Sequence, residues 1–210
     1  MRVVGCAGQA RMGKDEMALK LIDELDMPWE RTAFADGVKK VYQDTFNVNR
    51  KFIEEWKVKP EPPPGFDMNV RQALQFIGGG FRKIQSNIWL DLVFRNLKEV
   101  DQAKIISDVR YPNEWQRIKY EGGYNILIGR PDKLNDDPAD SESIIRPLIV
   151  WCLDNLPDGI TEINLDMFEK HNDMPEELRY FNLFVKNNKS LEEYWCMIKE
   201  TSYLVAKFFR

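Results

Sequence analysis

The stretch Val-Gly-Cys-Ala-Gly-Gln-Ala-Arg-Met-Gly-Lys-Asp-Glu, residues 4–16, determines how the rest of the chain is interpreted. A short apolar run, residues 3–7, precedes the loop, and apolar residues recur at helical spacing from Met17 to Leu25. This order predicts a strand, a glycine-containing loop and a helix. Such a loop turns backbone N–H groups inward and adds the positive end of the helix, so it suits phosphate. The predicted phosphate-binding residues are Gly8, Gln9, Ala10, Arg11, Met12, Gly13 and Lys14, with Lys14 reaching the outer phosphates of a nucleotide.

The residue after Lys14 departs from the usual form of such a loop. A Ser or Thr hydroxyl normally follows the lysine and coordinates Mg²⁺, whereas this chain has Asp15, and Glu16 does not restore the hydroxyl. The Asp15 carboxylate can hold the ion directly or through water, but its charge also repels a triphosphate. A glycine-containing turn that happens to precede a lysine is the simpler alternative, and no G-x-G-x-x-G pattern supports a dinucleotide site.

The composition limits the class of protein. The chain has 210 residues, of which 43% are hydrophobic, which is enough for one sizeable core and favours a single domain over residues 1–210. Its 30 basic and 34 acidic residues give a net charge of -4, which argues against stable binding to nucleic acid. No apolar run approaches the length of a membrane span.

The cysteines and the single histidine exclude two further classes of site. Cys6, Cys152 and Cys196 have no paired metal-ligand spacing, and we expect them to be reduced, packed thiols in a cytoplasmic protein. His171 is the only histidine, so histidine-based metal sites and Ser-His-Asp catalysis have almost no residues to use.

Strand-like and helix-like segments alternate along the chain. Apolar runs typical of buried strands occur at residues 3–7, 32–35, 103–108, 124–128 and 180–185, with helical periodicity between them. This alternation predicts an α/β protein with a central, mainly parallel five-stranded sheet between layers of helices.

Acidic residues follow two of the predicted strands. Open parallel sheets bind ligands at the carboxyl ends of their strands, so Asp36 and Asp108 are candidate ligand residues. Asp36 is equally a candidate helix cap, and Lys39, three residues later, is equally a residue of a solvated face. Asp108 ends a core strand, as does the aspartate with which a P-loop enzyme orients magnesium or its waters.

A basic cluster surrounds three consecutive glycines. The apolar spacing predicts a helix from Asn69 that ends at residues 78–80 and a second helix over residues 86–97. Arg71, Gln75 and Arg82 lie around the predicted turn, where they suit a ligand that carries a phosphate or a base. Trp89 is a candidate for stacking on a base, although aromatic residues at helical spacing are more often core.

Several segments together resemble the deoxynucleoside monophosphate kinases encoded by tailed bacteriophages. The most specific is Asp-Val-Arg-Tyr-Pro-Asn-Glu, residues 108–114, beside the Gly-Lys-Asp loop. The other matching segments, in family order, are residues 8–18, 34–39, 71–78, 141–142 and 187–191. Glu16 stands where the family commonly has a hydroxyl residue, and Gly79-Gly80 replaces a Thr-Glu pair.

The resemblance implies a P-loop kinase of the nucleoside monophosphate kinase type, acting in the cytoplasm, or in the host cytoplasm if a phage encodes it. ATP would donate its terminal phosphoryl group to a deoxynucleoside monophosphate, with Mg²⁺ as cofactor. The expected catalytic residues are Lys14, Arg11, Asp108 and Arg110. Asp15 and Asp108 would hold the metal, and Asp15, Glu16 and Arg130 would complete the ATP site. The expected acceptor ligands are Asp36, Lys39, Arg71, Gln75, Arg82, Trp89 and Glu142.

The same resemblance suggests a regional division of the chain. Residues 45–100 would form a helical substrate-binding region, and residues 143–179 would form a family-variable insertion. The sequence leaves a homodimer open. It also leaves two other functions open: a P-loop protein that binds nucleotide without catalysis, and a P-loop kinase with a different phosphorylated acceptor.

Overall fold

The computed structural model describes residues 2–26, 28–99, 103–134 and 140–210. These residues form two compact units, one of Met1–Thr32 with Leu97–Arg210 and one of Ala33–Asn96. We call them the sheet unit and the helical unit.

The strands all belong to the sheet unit. In chain order they are Val3–Ala7 (β1), Trp29–Thr32 (β2), Ala103–Val109 (β3), Tyr124–Gly129 (β4), Gly159–Glu162 (β5) and Leu183–Lys186 (β6). In the described part of the chain the sheet has the order β2-β3-β1-β4-β6-β5. Neighbouring strands run parallel, except that β5 pairs antiparallel with β6 at one edge.

The helices lie between the strands along the chain, and the last helix follows the last strand. They are Lys14–Glu24 (α1), Phe34–Phe46 (α2), Arg50–Trp56 (α3), Val70–Ile84 (α4), Ile88–Glu99 (α5), Pro112–Tyr120 (α6), Asp140–Ser143 (α7), Arg146–Asn155 (α8), Leu165–Lys170 (α9) and Leu191–Phe208 (α10). Two short 3-10 turns, Pro131–Lys133 and Glu176–Tyr180, complete the described elements.

The centre of the sheet is covered on both faces. Every residue of β1 and of β4 is buried, and successive residues of a strand point to opposite faces. Helix α1 packs against β3 and α10, whereas α6 and α8 pack against β4. The predicted α/β class with a mainly parallel central sheet is confirmed, and the sheet has one strand more than the five predicted.

The extra strand comes from the region predicted to be an insertion. Helix α8 buries Leu148, Ile149 and Cys152, and β5 extends the sheet beyond β6. Helix α8 is therefore part of the core of the sheet unit, and β5 forms its partly exposed edge. An antiparallel edge strand of four residues leaves only a weak periodic signal in the sequence.

The second strand lies earlier than predicted. Residues 32–35 were expected to be a strand, but β2 ends at Thr32 and α2 begins at Phe34. β2 pairs in parallel with β3 from Trp29 opposite Ala103 to Thr32 opposite Ile106. The Asp36 carboxylate accepts a hydrogen bond of 3.0 Å from the N–H of Ala33. Asp36 therefore stabilises the start of α2 as the third residue of the helix, and not as the N-cap residue that precedes it.

Helix α4 continues through the three glycines at which the sequence predicted its end. Gly78 is buried, and a Cβ atom there would meet Val38 at 3.6 Å, which is ordinary contact. A Cβ atom at Gly79 or Gly80 would meet nothing within 4 Å. The helix therefore persists because its apolar residues pack in the core of the helical unit, which includes Tyr42, Ile53, Val70, Leu74 and Ile77.

The cysteines lie mostly in the core. Cys6 and Cys152 are buried thiols, and burial raises the pKa of Cys6 to about 12. Cys196 is exposed, so the expectation of packing holds for two of the three.

Among the helices that the structure describes, none combines the length and the apolar character that a bilayer crossing requires.

Candidate functional site

The loop between β1 and α1 has a strained backbone. Arg11 has φ 63° and Gly13 has φ 94°, both in the left-handed region. A non-glycine residue in that region is unfavourable, and such strain concentrates at binding sites. Arg11 is exposed, whereas the side chain of Met12 is buried beneath the loop.

Two distant residues hold this loop from behind. Asn187 Nδ2 donates to the carbonyl of Met12 at 3.2 Å, and Tyr194 Oη donates to the carbonyl of Gly13 at 3.1 Å. A Cβ atom on Gly13 would lie only 2.9 Å from each of these side chains. The sequence analysis assigned neither residue a role, although Asn187 opens the family-like segment 187–191. The pairing brings together residues at opposite ends of the chain, so local pattern could not reveal it.

Lys14 is the electrostatic centre of the site. Its ammonium group is buried and donates to the carbonyl of Gln9 at 2.5 Å. Burial and the nearby Arg110 lower the pKa of Lys14 to about 8, while Glu142, Asp15 and Asp108 act in the opposite direction. The structure therefore brings three predicted catalytic residues, Lys14, Asp108 and Arg110, into one charged cluster. A buried cation with a lowered pKa is suited to bind an anion that enters the loop.

Asp15 forms an ion pair with a residue of β2. Arg31 Nη2, on β2, donates to Asp15 Oδ1 at 2.8 Å. Partial burial would raise the pKa of Asp15, but the hydrogen bond from Arg31 and the nearby Ser107 hydroxyl lower it below its usual value. Asp15 is thus held ionised, as a metal ligand must be. The neighbouring Glu16 accepts a hydrogen bond of 2.5 Å from Trp195 Nε1 of α10.

Arg110 is held at both its side chain and its backbone. Its Nη1 donates to Glu142 Oε1 at 2.9 Å, and its backbone N–H donates to Glu114 Oε2 at 2.7 Å. Glu142 is only 2% exposed. Gln9 Nε2 donates to the backbone carbonyl of Glu142 at 3.4 Å, which ties α7 to the loop. The expectation that Glu142 contacts the acceptor stays a prediction; in this structure its buried carboxylate is engaged by Arg110. Glu114, which the sequence analysis quoted only within a motif, fixes the turn that carries Arg110.

A cleft opens on the far side of Gly13. Its volume is about 230 Å³, and Arg130, which was predicted to lie near the donor base, is on its wall. Arg130 Nε donates to Asp132 Oδ1 at 2.8 Å. The residues that line the cleft are Gly13, Glu16, Arg130, Asn187, Lys189, Leu191 and Tyr194.

The donor set at the loop fits a magnesium ion bound together with phosphate. Mg²⁺ takes one or two carboxylates and completes its shell with water and phosphate oxygens. Asp15 and Asp108 are carboxylates whose charges both act on Lys14. The described residues contain no cluster of three or more His, Cys, Asp or Glu side chains that could hold a metal alone. Any ion here would therefore depend on phosphate oxygens for the rest of its shell.

Two of the predicted acceptor ligands, Asp36 and Lys39, belong to an ion-pair network in the helical unit. Arg50 donates to Asp36 Oδ1 at 2.7 Å and to Glu54 Oε1 at 2.9 Å, and Lys39 donates to the same Glu54 oxygen at 2.8 Å. The second oxygen of Asp36 caps α2. Asp36 and Lys39 thus join α2 to α3 in this structure. Burial raises the pKa of Glu54, but its two lysine neighbours lower it by more, to about 2.

The other predicted acceptor residues lie along α4. Arg71 and Gln75 are exposed, and Arg82 is half-buried. At 3.6 residues per turn the three positions share one face of the helix. Trp89 does not join them, because it is 3% exposed and its Nε1 donates to the carbonyl of Gly78 at 3.1 Å. The stacking role considered for Trp89 is therefore wrong, and its core role is the correct alternative.

Comparisons with known proteins gave one curated relative and several solved structures. No protein-family model matches the chain. A protein of Acanthamoeba polyphaga mimivirus named "Putative deoxynucleotide monophosphate kinase" is 27% identical over 214 aligned residues, covering 94% of each chain. The dephospho-CoA kinase of Campylobacter jejuni has 14% identity and a TM-score of 0.49, with full coverage of both chains (100%). The shikimate kinase of Bacteroides thetaiotaomicron has 9% identity and a TM-score of 0.38, covering 99% of this chain and 97% of its own.

The described residues form a mixed α/β fold with a mainly parallel central sheet. Its glycine-containing loop follows the central strand β1 and leads directly into α1, and Lys14 is the first residue of that helix. The sequence-based expectation of this fold is confirmed.

Proposed function

We propose that this protein is a kinase that transfers the terminal phosphoryl group of ATP to a deoxynucleoside 5′-monophosphate, giving a deoxynucleoside diphosphate. The observation that carries the proposal is the charged cluster at the loop, where Lys14 lies near Arg110, Asp15, Asp108 and Glu142. The choice of acceptor is supported by the resemblance of residues 108–114 and by the name of the mimivirus relative.

The loop would hold the polyphosphate of the donor. Backbone N–H groups of residues 8–13 and the start of α1 supply positive potential, and Lys14 adds a charge. An entering phosphate would replace the Gln9 carbonyl as the acceptor for Lys14 Nζ. The nucleoside of the donor would lie in the cleft beside Arg130.

The reaction consists of attack by a phosphate oxygen of the acceptor on the terminal phosphorus of ATP. The bond between that phosphorus and the bridging oxygen breaks, and ADP leaves with the electron pair. Charge spreads over the transferred group, so positioning and electrostatic stabilisation dominate catalysis. Arg110, fixed by Glu142 and Glu114, and Arg11 at the loop would stabilise that charge. Asp15 and Asp108 would hold Mg²⁺, which would supply neutralising charge to the phosphates.

The helical unit would supply the acceptor ligands. Arg71 and Arg82 carry guanidinium groups that match a phosphate in a bidentate way, and Gln75 offers an amide for a base or sugar. Asp36 and Lys39 would contribute mainly by fixing α2 against α3 through Arg50 and Glu54.

An acceptor panel tests the proposal. Purified protein is incubated with Mg²⁺ and ATP and with each deoxynucleoside monophosphate, each ribonucleoside monophosphate or a phosphorylated sugar, and products are separated by anion-exchange chromatography. We expect deoxynucleoside diphosphate and ADP in equal amounts. Lys14→Met should abolish both products, whereas Lys207→Met, at an exposed position of α10, should not. Formation of a product only from a sugar phosphate would overturn the assigned acceptor, and binding of ATP without any product would overturn the enzyme assignment.

A further inference from the structure

Ser107 is a buried hydroxyl residue that the proposed mechanism does not use. It lies near the end of β3 and is 1% exposed. In the described part of the chain, its Oγ belongs to the few buried side-chain oxygens without a hydrogen bond of good geometry. Buried polar groups nearly always have such a bond, so an exception calls for an explanation.

An irregularity in the sheet determines where Ser107 lies. Gly5 pairs with Ile106 and Ala7 pairs with Val109, so β3 advances three residues while β1 advances two. The extra residue falls at Ser107 or Asp108. Neighbouring side chains on a regular strand point to opposite faces, but a bulge changes the direction of one of them. Both residues therefore reach the phosphate-binding loop, Ser107 beside Asp15 and Asp108 within the field of Lys14.

The two groups stand in the reverse of the usual order. P-loop enzymes place a hydroxyl on the residue after the loop lysine and a carboxylate on the facing strand, and the two hold magnesium together. Here a carboxylate, Asp15, follows Lys14, and the strand carries a hydroxyl, Ser107, beside its own carboxylate, Asp108. The hydroxyl thus lies on the strand and a carboxylate lies after the lysine, the opposite of the usual places.

We propose, building on the kinase function above, that Ser107 and Asp15 have exchanged roles, so that Ser107 supplies the magnesium-site hydroxyl that the loop lacks. Asp108 follows Ser107 as the second carboxylate of the set. The exchange explains why Asp15 is compatible with a triphosphate site, since Arg31 balances its charge. It also explains why a buried hydroxyl is kept in the core without a good protein partner.

Metal affinity provides a test that does not depend on turnover. Binding of Mn²⁺ is followed by electron paramagnetic resonance in the presence of a non-hydrolysable ATP analogue. We expect Ser107→Ala to weaken Mn²⁺ binding roughly 10- to 100-fold, while affinity for the metal-free analogue stays the same. Ser202→Ala is the matched control, because Ser202 is also buried in the sheet unit but donates to the carbonyl of Lys199. It should leave both affinities unchanged.

A double variant makes the test sharper. Asp15→Ser combined with Ser107→Asp restores the usual order of hydroxyl and carboxylate, and it should recover Mn²⁺ affinity that each single variant loses. Equal Mn²⁺ affinity of the wild type and Ser107→Ala, alone or with a lowered melting temperature, would overturn the exchange and leave Ser107 a structural residue. Failure of the wild type to bind the analogue at all would instead overturn the proposed kinase function.

Discussion

Arg110 and Glu142 form an ion pair of 2.9 Å across 32 residues of chain, and the carboxylate lies almost wholly inside the protein. Arg110 itself is 31% exposed at its side chain. A buried carboxylate with one charged partner fixes that partner, because moving the guanidinium away would leave an uncompensated charge. We infer that Glu142 holds Arg110 in place beside Lys14.

Glu142→Gln should separate positioning from binding. The amide keeps the size of the side chain but removes the charge that holds Arg110, so we expect turnover to fall about tenfold or more with little change in the dissociation constant for ATP. The free energy of unfolding should fall by only about 1–3 kcal/mol, because Arg110 is partly exposed and water can solvate its charge. Urea unfolding and steady-state kinetics measure the two effects. Unchanged turnover in a folded Glu142→Gln protein would remove Glu142 from the positioning role.

Binding of ATP should be coupled to proton uptake by Lys14. The pKa of Lys14 is about 8 in the folded protein, and entry of a polyphosphate raises it toward 10.5 or above. At about pH 9 the unliganded lysine is therefore mostly neutral and gains a proton on binding. Calorimetry in buffers of different ionisation enthalpy measures this uptake. It should vanish at about pH 6.5, where the lysine is already charged, and it should be absent in Lys14→Met.

The same pKa predicts the pH dependence of stability. Because the folded pKa of Lys14 lies below its unfolded value, the unfolded chain binds more protons between about pH 8 and pH 10.5. The contribution of Lys14 to the free energy of unfolding should rise with pH through that window. The difference in stability between wild type and Lys14→Met, measured by urea unfolding at several pH values, should follow this trend. A difference that stays constant with pH would show that Lys14 is not buried as a cation.

Gly13→Ala should damage the loop. At φ 94° an alanine is strained, and its Cβ would meet Asn187 and Tyr194 at 2.9 Å. We expect a loss of about 1–3 kcal/mol in stability together with weaker ATP binding, since the backbone N–H groups would shift. Thermal unfolding and calorimetry provide the measurements. An alanine variant with wild-type stability and affinity would contradict the described packing of the loop.

Gly79→Ala should have the opposite effect. Gly79 lies inside α4, and a Cβ atom there would meet nothing within 4 Å. Alanine is the better helix former, so we expect a gain of about 0.5–1 kcal/mol in the free energy of unfolding. If residues 78–80 were a turn or a hinge, as their sequence suggested, the substitution would bring no gain. Chemical unfolding of the two proteins distinguishes these cases.

Local sequence pattern was sufficient for the elements that surround the phosphate loop. The apolar runs of β1 and β4 are fully buried strands, that of β3 is mostly buried, and the loop between β1 and α1 combines glycines with a lysine at a spacing that suits phosphate. The alternation of strand-like and helix-like segments predicted the α/β class. These features could be predicted because each depends on residues close together in the chain.

The features that were missed depend on tertiary contacts. Three glycines normally end a helix, but packing of the apolar face of α4 outweighs their propensity. Trp89 and Glu142 have residue types suited to ligands, and only the three-dimensional structure shows that both are buried. Asn187 and Tyr194 reach the loop from the last strand and the last helix, so no local pattern connects them with Gly13.

We propose that the loop around Lys14 holds ATP for transfer of its terminal phosphoryl group to a deoxynucleoside monophosphate. The most direct measurement uses ATP labelled at the terminal phosphorus, with wild-type protein in excess over ATP and with each acceptor in turn. We predict that the label appears as the outer phosphate of a deoxynucleoside diphosphate within a single turnover, and that Lys14→Met gives none. Label that remains in ATP, or that appears only as inorganic phosphate with every acceptor, would contradict the proposed phosphoryl transfer.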